Sequence, residues 1–159
     1  MTELRFTQVD TQESTRIRVL MPDYLVEMGN YVDVPTDVNG NMVYPYLEHY
    51  WQAPDRLPFV LISDEVDCGF ALVRSMINPD NGASYHSLAE FFVIPSFRRR
   101  GFGALAADMI LKSLGGQWEV SVLKTNLPAQ KFWARTLTVL CPDLTCTDTG
   151  DSHSYRLHV

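Results

Sequence analysis

Phe91-Phe92-Val93-Ile94-Pro95-Ser96-Phe97-Arg98-Arg99-Arg100-Gly101-Phe102-Gly103 is the stretch on which the fold turns. An apolar run ends at a proline, passes through three arginines and two glycines, and opens a segment with helical spacing. The run reads as a strand, His86 to Ile94, and the segment after it as a helix, Gly103 to Leu114, stopped by Gly115-Gly116. Amides at a helix start have no intrahelical partner and lie at the positive end of the helix dipole. Glycine at 101 and 103 lets the backbone approach an anion, and Ala104, Ala106 and Ala107 keep the first turns slim. The segment therefore reads as a seat for a pyrophosphate. A lone G-x-G before a helix is common, so on its own the turn also reads as a solvated basic face. There is no G-K-[ST] and no third glycine, which excludes a P-loop and a dinucleotide fingerprint.

Outward from this turn the pattern is a regular one. Leu4 to Val9 alternates as a strand. Gln12 to Asn30 carries Ile17, Leu20, Met21, Tyr24, Leu25 and Met28 at helical spacing, with Pro22 forcing two helical pieces or a kink. Asn39-Gly40 marks a turn, and Pro45 to Ala53 reads as a helix burying Tyr46, Leu47, Tyr50 and Trp51. Pro58 to Ser63 and Cys68 to Met76 flank a turn and form an antiparallel hairpin. Downstream come a strand over Trp118 to Lys124, a helix over Leu127 to Leu137 and a closing strand over Ser152 to Val159. One more strand is expected near Thr138 to Cys141. The fold class is α/β in the mixed α+β sense, a central mixed sheet with helices on both faces.

The 159 residues, 46% hydrophobic and 20% charged, suit one domain over 1–159. A net charge of -6 argues against nucleic acid or an anionic membrane as partner. The polar stretch Met1 to Asp10 has no apolar signal core, and no apolar run is long enough to span a bilayer, so a cytoplasmic location is the default. Three cysteines without a C-x-x-C unit read as reduced thiols, with a metal or redox role for Cys141 and Cys146 the lesser alternative.

Arg98-Arg99-Arg100-Gly101-Phe102-Gly103 resembles the R-x-x-G-x-G pyrophosphate loop of GNAT acetyltransferases. Val93-Ile94-Pro95 resembles that family's V-x-P strand end, and Asn126-Leu127-Pro128-Ala129 its N-x-x-A signature. The likeness is strongest from His86 to Leu137. It implies a splayed sheet in which the pantetheine arm of acetyl-CoA lies between two strands like an added strand. By the same likeness the backbones of Phe91 and Val93 hold that arm. Arg98, Arg99, Arg100, Gly101, Phe102 and Gly103 hold the pyrophosphate, and Asn126 reaches the arm from the second strand. The implied activity is transfer of an acetyl group to a primary amine of a small molecule or protein, by direct attack, without a metal. A homodimer is the expectation by analogy.

Glu90 lies beside the implied acetyl position, among apolar neighbours that raise a carboxyl pKa, and is the candidate general base. It reads alternatively as the partner of a nearby basic group, holding the fold. Tyr85 and His86 are weaker candidates. Where the family commonly has a tyrosine as proton donor to the leaving thiolate, four residues past the alanine of N-x-x-A, this chain has Trp133. An indole N–H donates a hydrogen bond but gives up no proton. Trp133 therefore either packs against the coenzyme or marks a non-catalytic acyl-CoA-binding module. Between the first strand and the hairpin, aromatic residues and carboxylates suit a cationic amine, or equally make ordinary core and solvated surface.

Overall fold

The computed structural model describes residues 3–159; the first two residues of the polar amino terminus lie outside it. Its centre is a seven-stranded sheet in the order β1-β2-β3-β4-β5-β7-β6. The strands are β1 (Leu4–Gln8), β2 (Arg56–Ser63), β3 (Val66–Ile77), β4 (Ser84–Val93), β5 (Gln117–Leu123), β6 (Thr145–Thr149) and β7 (Ser152–His158). Neighbours are antiparallel except β4 and β5, which run parallel. The helices are α1 (Thr15–Arg18), α2 (Met21–Met28), α3 (His49–Gln52), α4 (Phe102–Leu114) and α5 (Leu127–Leu140). The mixed sheet and its helical layers are those expected from the sequence.

Two cores result, one on each face. Ile17, Tyr24, Leu25 and Tyr50 from α1 to α3 pack on Val60, Ile62, Phe70, Leu72 and Phe92. On the other face α4 and α5 bring Ala107, Ile110, Leu111, Trp133 and Leu137 against Val73, Leu88, Trp118 and Val120. Alternation along β2 and β3 sends successive side chains to opposite cores, which makes both strands almost continuously apolar. Arg16 fastens α1 to the start of β3 through Nε and Nη2 bonds to Asp67 of 2.8 and 2.7 Å.

Some local expectations change. Pro22 stands in the first turn of α2, so the long helical stretch divides as expected, with α1 ahead of it. Pro45 to Glu48 forms turns, and only His49–Gln52 is helix; Tyr46 is exposed rather than buried. The strand expected near Thr138 to Cys141 is the last turn of α5. Thr138 and Val139 are β-branched and locally strand-like, but Leu137 stays on the buried helical stripe and the Thr138 hydroxyl donates to the Ala134 carbonyl at 2.6 Å. The remaining strand is β6, whose five residues are all exposed.

Candidate active site

The parallel pair β4 and β5 is in register only at His86–Trp118, Ser87–Glu119 and Leu88–Val120. Beyond Leu88 the two strands part. The next residue, Ala89, is an extra one: Leu72 pairs with Glu90 and Val73 with Leu88, so β4 bulges there. A bulge bends its strand and strengthens the local twist, which carries β4 away from β5.

The bulge also fixes which groups face the gap. The Ile94 N–H donates to Cys68 of β3 at 2.9 Å. Backbone polar groups alternate between the two edges of a strand, so those of Phe92 and Glu90 face β3 while those of Phe91 and Val93 face the gap. The Val93 carbonyl bears this out, since it accepts from Arg98 Nε at 2.7 Å instead of from a strand. The Phe91 N–H and C=O and the Val93 N–H therefore line an open edge.

That edge runs straight to the start of α4. Among the described residues no backbone carbonyl takes the amides from Arg99 to Ala104. Gly101 caps the helix with φ 76°, where an L side chain is strained, and a Cβ built on it meets nothing within 4 Å. The amides thus open on free space at the positive end of the helix. Gly103 has a different reason to be glycine: a Cβ there would come within 3.2 Å of the Phe132 ring. The cleft between the strands has a volume of about 790 Å³.

Most candidate residues converge on this one cleft. Glu90, Phe91, Val93, Arg98, Arg99, Gly101, Gly103, Asn126 and Trp133 all line it. Arg100 and Phe102 do not: the Arg100 guanidinium lies 5.9 Å from the Phe97 ring, and Phe102 is buried against Phe97. The Arg98 side chain lies over Phe92, bonded to the Val93 carbonyl and paired with Glu27. It braces the strand end, so the amides and Arg99 are what the turn offers an anion. The Asn126 side chain accepts from the Ala129 N–H at 3.1 Å and caps α5. Trp133 is buried with its ring edge-on to Phe91, the centroids 5.2 Å apart.

Glu90 points to the opposite face from Phe91. Its Oε2 accepts a hydrogen bond from the Tyr24 hydroxyl, and Tyr44 stands beside it. Burial raises the Glu90 pKa above the ordinary carboxylate range, and the hydrogen bonds from Tyr24 and Tyr44 oppose that rise only in part. Burial and then the Glu90 charge push both tyrosines above their usual value, so both are neutral donors. Burial lowers His86, whose ring packs 4.9 Å from Trp118 and whose Nδ1 has no partner.

Tyr24 and Glu27 belong to the aromatic and acidic stretch that the sequence offers to a cationic amine, but their partners Glu90 and Arg98, 66 and 71 residues away, were not readable there. Two basic groups were missed outright. Lys131 and Arg135 also line the cleft. Their i,i+4 spacing on α5 was the available signal. The Thr125 hydroxyl donates to the Tyr31 carbonyl at 2.9 Å, tying the chain after β5 to the chain after α2 across the mouth of the cleft.

The model of the acetyltransferase (GNAT) family matches residues 27–138, which holds the phosphate turn and most of the helix opened by Asn126. The chain belongs to the GNAT acetyltransferase family. Solved members share the fold of this GNAT chain at low identity. The GNAT domain of S. lividans PAT has 12% identity and a TM-score of 0.71, covering 98% of this chain and 90% of that one. An acetyltransferase from Thermus thermophilus has 18% identity and a TM-score of 0.67, covering 98% and 97%. Arabidopsis thaliana NAA60, solved in complex with acetyl-CoA, has 10% identity and a TM-score of 0.63, covering 97% and 96%. No curated protein matches this GNAT chain in sequence. Among its described residues no helix is long and apolar enough to cross a membrane.

Proposed function

We propose that the chain binds acetyl-CoA along the open edge of β4 and transfers its acetyl group to a primary amine within a ternary complex. One observation carries this reading: an unpaired strand edge leads directly into a helix start whose amides have no partner, with a raised-pKa carboxylate at the same level of the strand. The Phe91 and Val93 backbone groups that face the gap are available to an amide-bearing arm. The free amides from Arg99 to Ala104, with Arg99, Lys131 and Arg135 nearby, suit its phosphates.

In this mechanism the amine nitrogen bonds to the acetyl carbon as the carbon–sulfur bond breaks. The Phe91 N–H is the donor available to the thioester oxygen as charge grows there. Glu90 takes the ammonium proton, directly or through water, and its raised pKa suits that task near neutral pH. Trp133 supplies no proton, so the sulfur departs as a thiolate, which a thiol pKa near 8.5 permits. The second nitrogen proton, shed as the amide forms, passes to that thiolate or to solvent water.

The test is calorimetric titration of acetyl-CoA into the protein and into an Arg98→Ala, Gly101→Glu variant, followed by thiol release with an amine panel. Saturable binding lost in the variant, with amine-dependent release, supports the reading. Binding without release by any amine would leave the non-catalytic acyl-CoA module that Trp133 favours. A folded wild type that binds no acetyl-CoA overturns both.

A further inference from the structure

Glu90 shares its face of the sheet with two arginines. Arg56 pairs with Arg74 across β2 and β3, and Arg74 pairs with Ser87 across β3 and β4. Direct cross-strand partners point to the same face, so the two arginine side chains leave the sheet side by side. The next row on that face is Pro58, Leu72 and Glu90. Two residues along a strand separate the rows, about 7 Å.

Like charges directly opposite one another destabilise a sheet unless something answers them. Among the described residues neither guanidinium enters an ion pair. Arg74 Nε is buried without a hydrogen-bond partner. The Tyr50 hydroxyl, in a residue only 2% exposed, lies against Tyr44 without a well-formed hydrogen bond. The Arg56 guanidinium lies 5.4 Å from the Tyr50 ring. The charges of Arg56, Glu90 and Arg74 all reach the Tyr50 hydroxyl; Arg56 and Tyr50 line a hollow of about 400 Å³, and Glu90 lines the cleft between the strands. A buried donor left unpaired costs free energy, and here two donors and two cations share one small region. A planar anion with two acceptor oxygens meets that need, because a guanidinium presents a matching fork of N–H groups.

We propose that the acceptor amine carries a carboxylate, which Arg74 and Arg56 bind with the Tyr50 hydroxyl while the amino group meets Glu90. The proposal rests on the acetyl-transfer reading for its chemistry, but the anion seat stands on its own geometry. Arg74 and Arg56 set specificity, and the row spacing sets how far apart the amine and the carboxylate stand in the acceptor.

The experiment measures thiol release from acetyl-CoA with glycine, β-alanine, 4-aminobutyrate and glutamate, each beside its carboxamide, and with O-phosphoethanolamine. At least one carboxylate should exceed its amide in kcat/KM by about 10- to 100-fold, the range of a charge-assisted pair. Arg74→Gln and, independently, Arg56→Gln should shrink that preference at least tenfold through KM, while Arg74→Lys keeps part of it. Variants that still gain thermal stability from acetyl-CoA count as folded. Amides used as well as acids, or O-phosphoethanolamine preferred to every carboxylate, would overturn the proposal. A second arm needs no turnover: calorimetry of the N-acetylated acids and N-acetylated amides with the wild type. Acids bound in preference to amides, without thiol release by any amine, would sink the acetyl-transfer reading and leave the carboxylate seat standing. Neither kind bound, and no release, would sink both.

Discussion

Glu90 is the residue on which most of the chemistry depends, and its environment has a sign that is open to measurement. Burial raises its pKa from 4.5, so the folded state holds its proton more tightly than the unfolded chain does. Its contribution to stability is fully present below about pH 4.5 and is lost as pH rises through the folded pKa. Glu90→Gln keeps an acceptor for the Tyr24 hydroxyl and removes the charge. It is expected to match the wild type in thermal melts at pH 4 and to exceed it at pH 8; a lower melting temperature at pH 8 would contradict the raised pKa. The same variant should lower kcat by about 10²- to 10⁴-fold and flatten the acid limb of the pH–rate profile, with KM for acetyl-CoA little changed. Gly101 tests the other half of the site. Alanine there must hold a φ of 76°, at about 1–2 kcal/mol. Gly101→Ala should therefore lower the melting temperature by several degrees and weaken acetyl-CoA binding, while the same change at exposed Gly116, also at positive φ, should cost stability without touching binding.

At the scale of elements, Arg98 holds the end of β4 in place from the loop that follows it. Its pair with Glu27 is more than a third exposed on both sides, so solvent screens most of its energy. Arg98→Met is expected to change stability by no more than about 1 kcal/mol. It should nevertheless raise the acetyl-CoA dissociation constant several-fold, because the Val93 edge loses its brace; titration calorimetry alongside melting curves reads both. This brace was not legible in the sequence, where Arg98 reads as one of three cations for an anion. The side chain's partners, Val93 and Glu27, are set by how α2 docks on the sheet. The bulge at Ala89 was equally hidden, since Ser-Leu-Ala-Glu-Phe-Phe reads as an unbroken strand and only the register reveals the extra residue. Strand β6 escaped because an edge strand exposed along its whole length carries no apolar alternation. The helix starts at Gly101 and Asn126, by contrast, were readable, because caps and glycines are local chemistry.

Across the whole molecule, the chain makes one cleft from parts far apart in sequence, and ligand binding should be felt by the whole fold. Acetyl-CoA at a hundred times its dissociation constant is expected to add about 2.7 kcal/mol, or roughly 5–11 °C in melting temperature for a chain of this size. A shift that fails to grow with ligand concentration would mean that binding is not coupled to folding. The sequence disclosed the order of elements and the phosphate turn because those rest on periodicity and local chemistry. It offered Tyr24 and Tyr44 to an amine but not their place around Glu90, which needs α2 docked on the sheet, nor the pairing of Arg56 with Arg74, which needs β2 and β3 in register. The same register gives Ala89 a weight out of proportion to its size. With that one residue deleted, Val73 would still face Leu88 and Leu72 would still face Glu90, but nothing would turn β4 from β5, and the two could zip together to their ends. The sheet would gain hydrogen bonds and lose its cleft. Selection on such a lineage therefore has to keep an inserted codon that stability alone would discard, and length changes in β4 should be far rarer among working descendants than substitutions of its side chains.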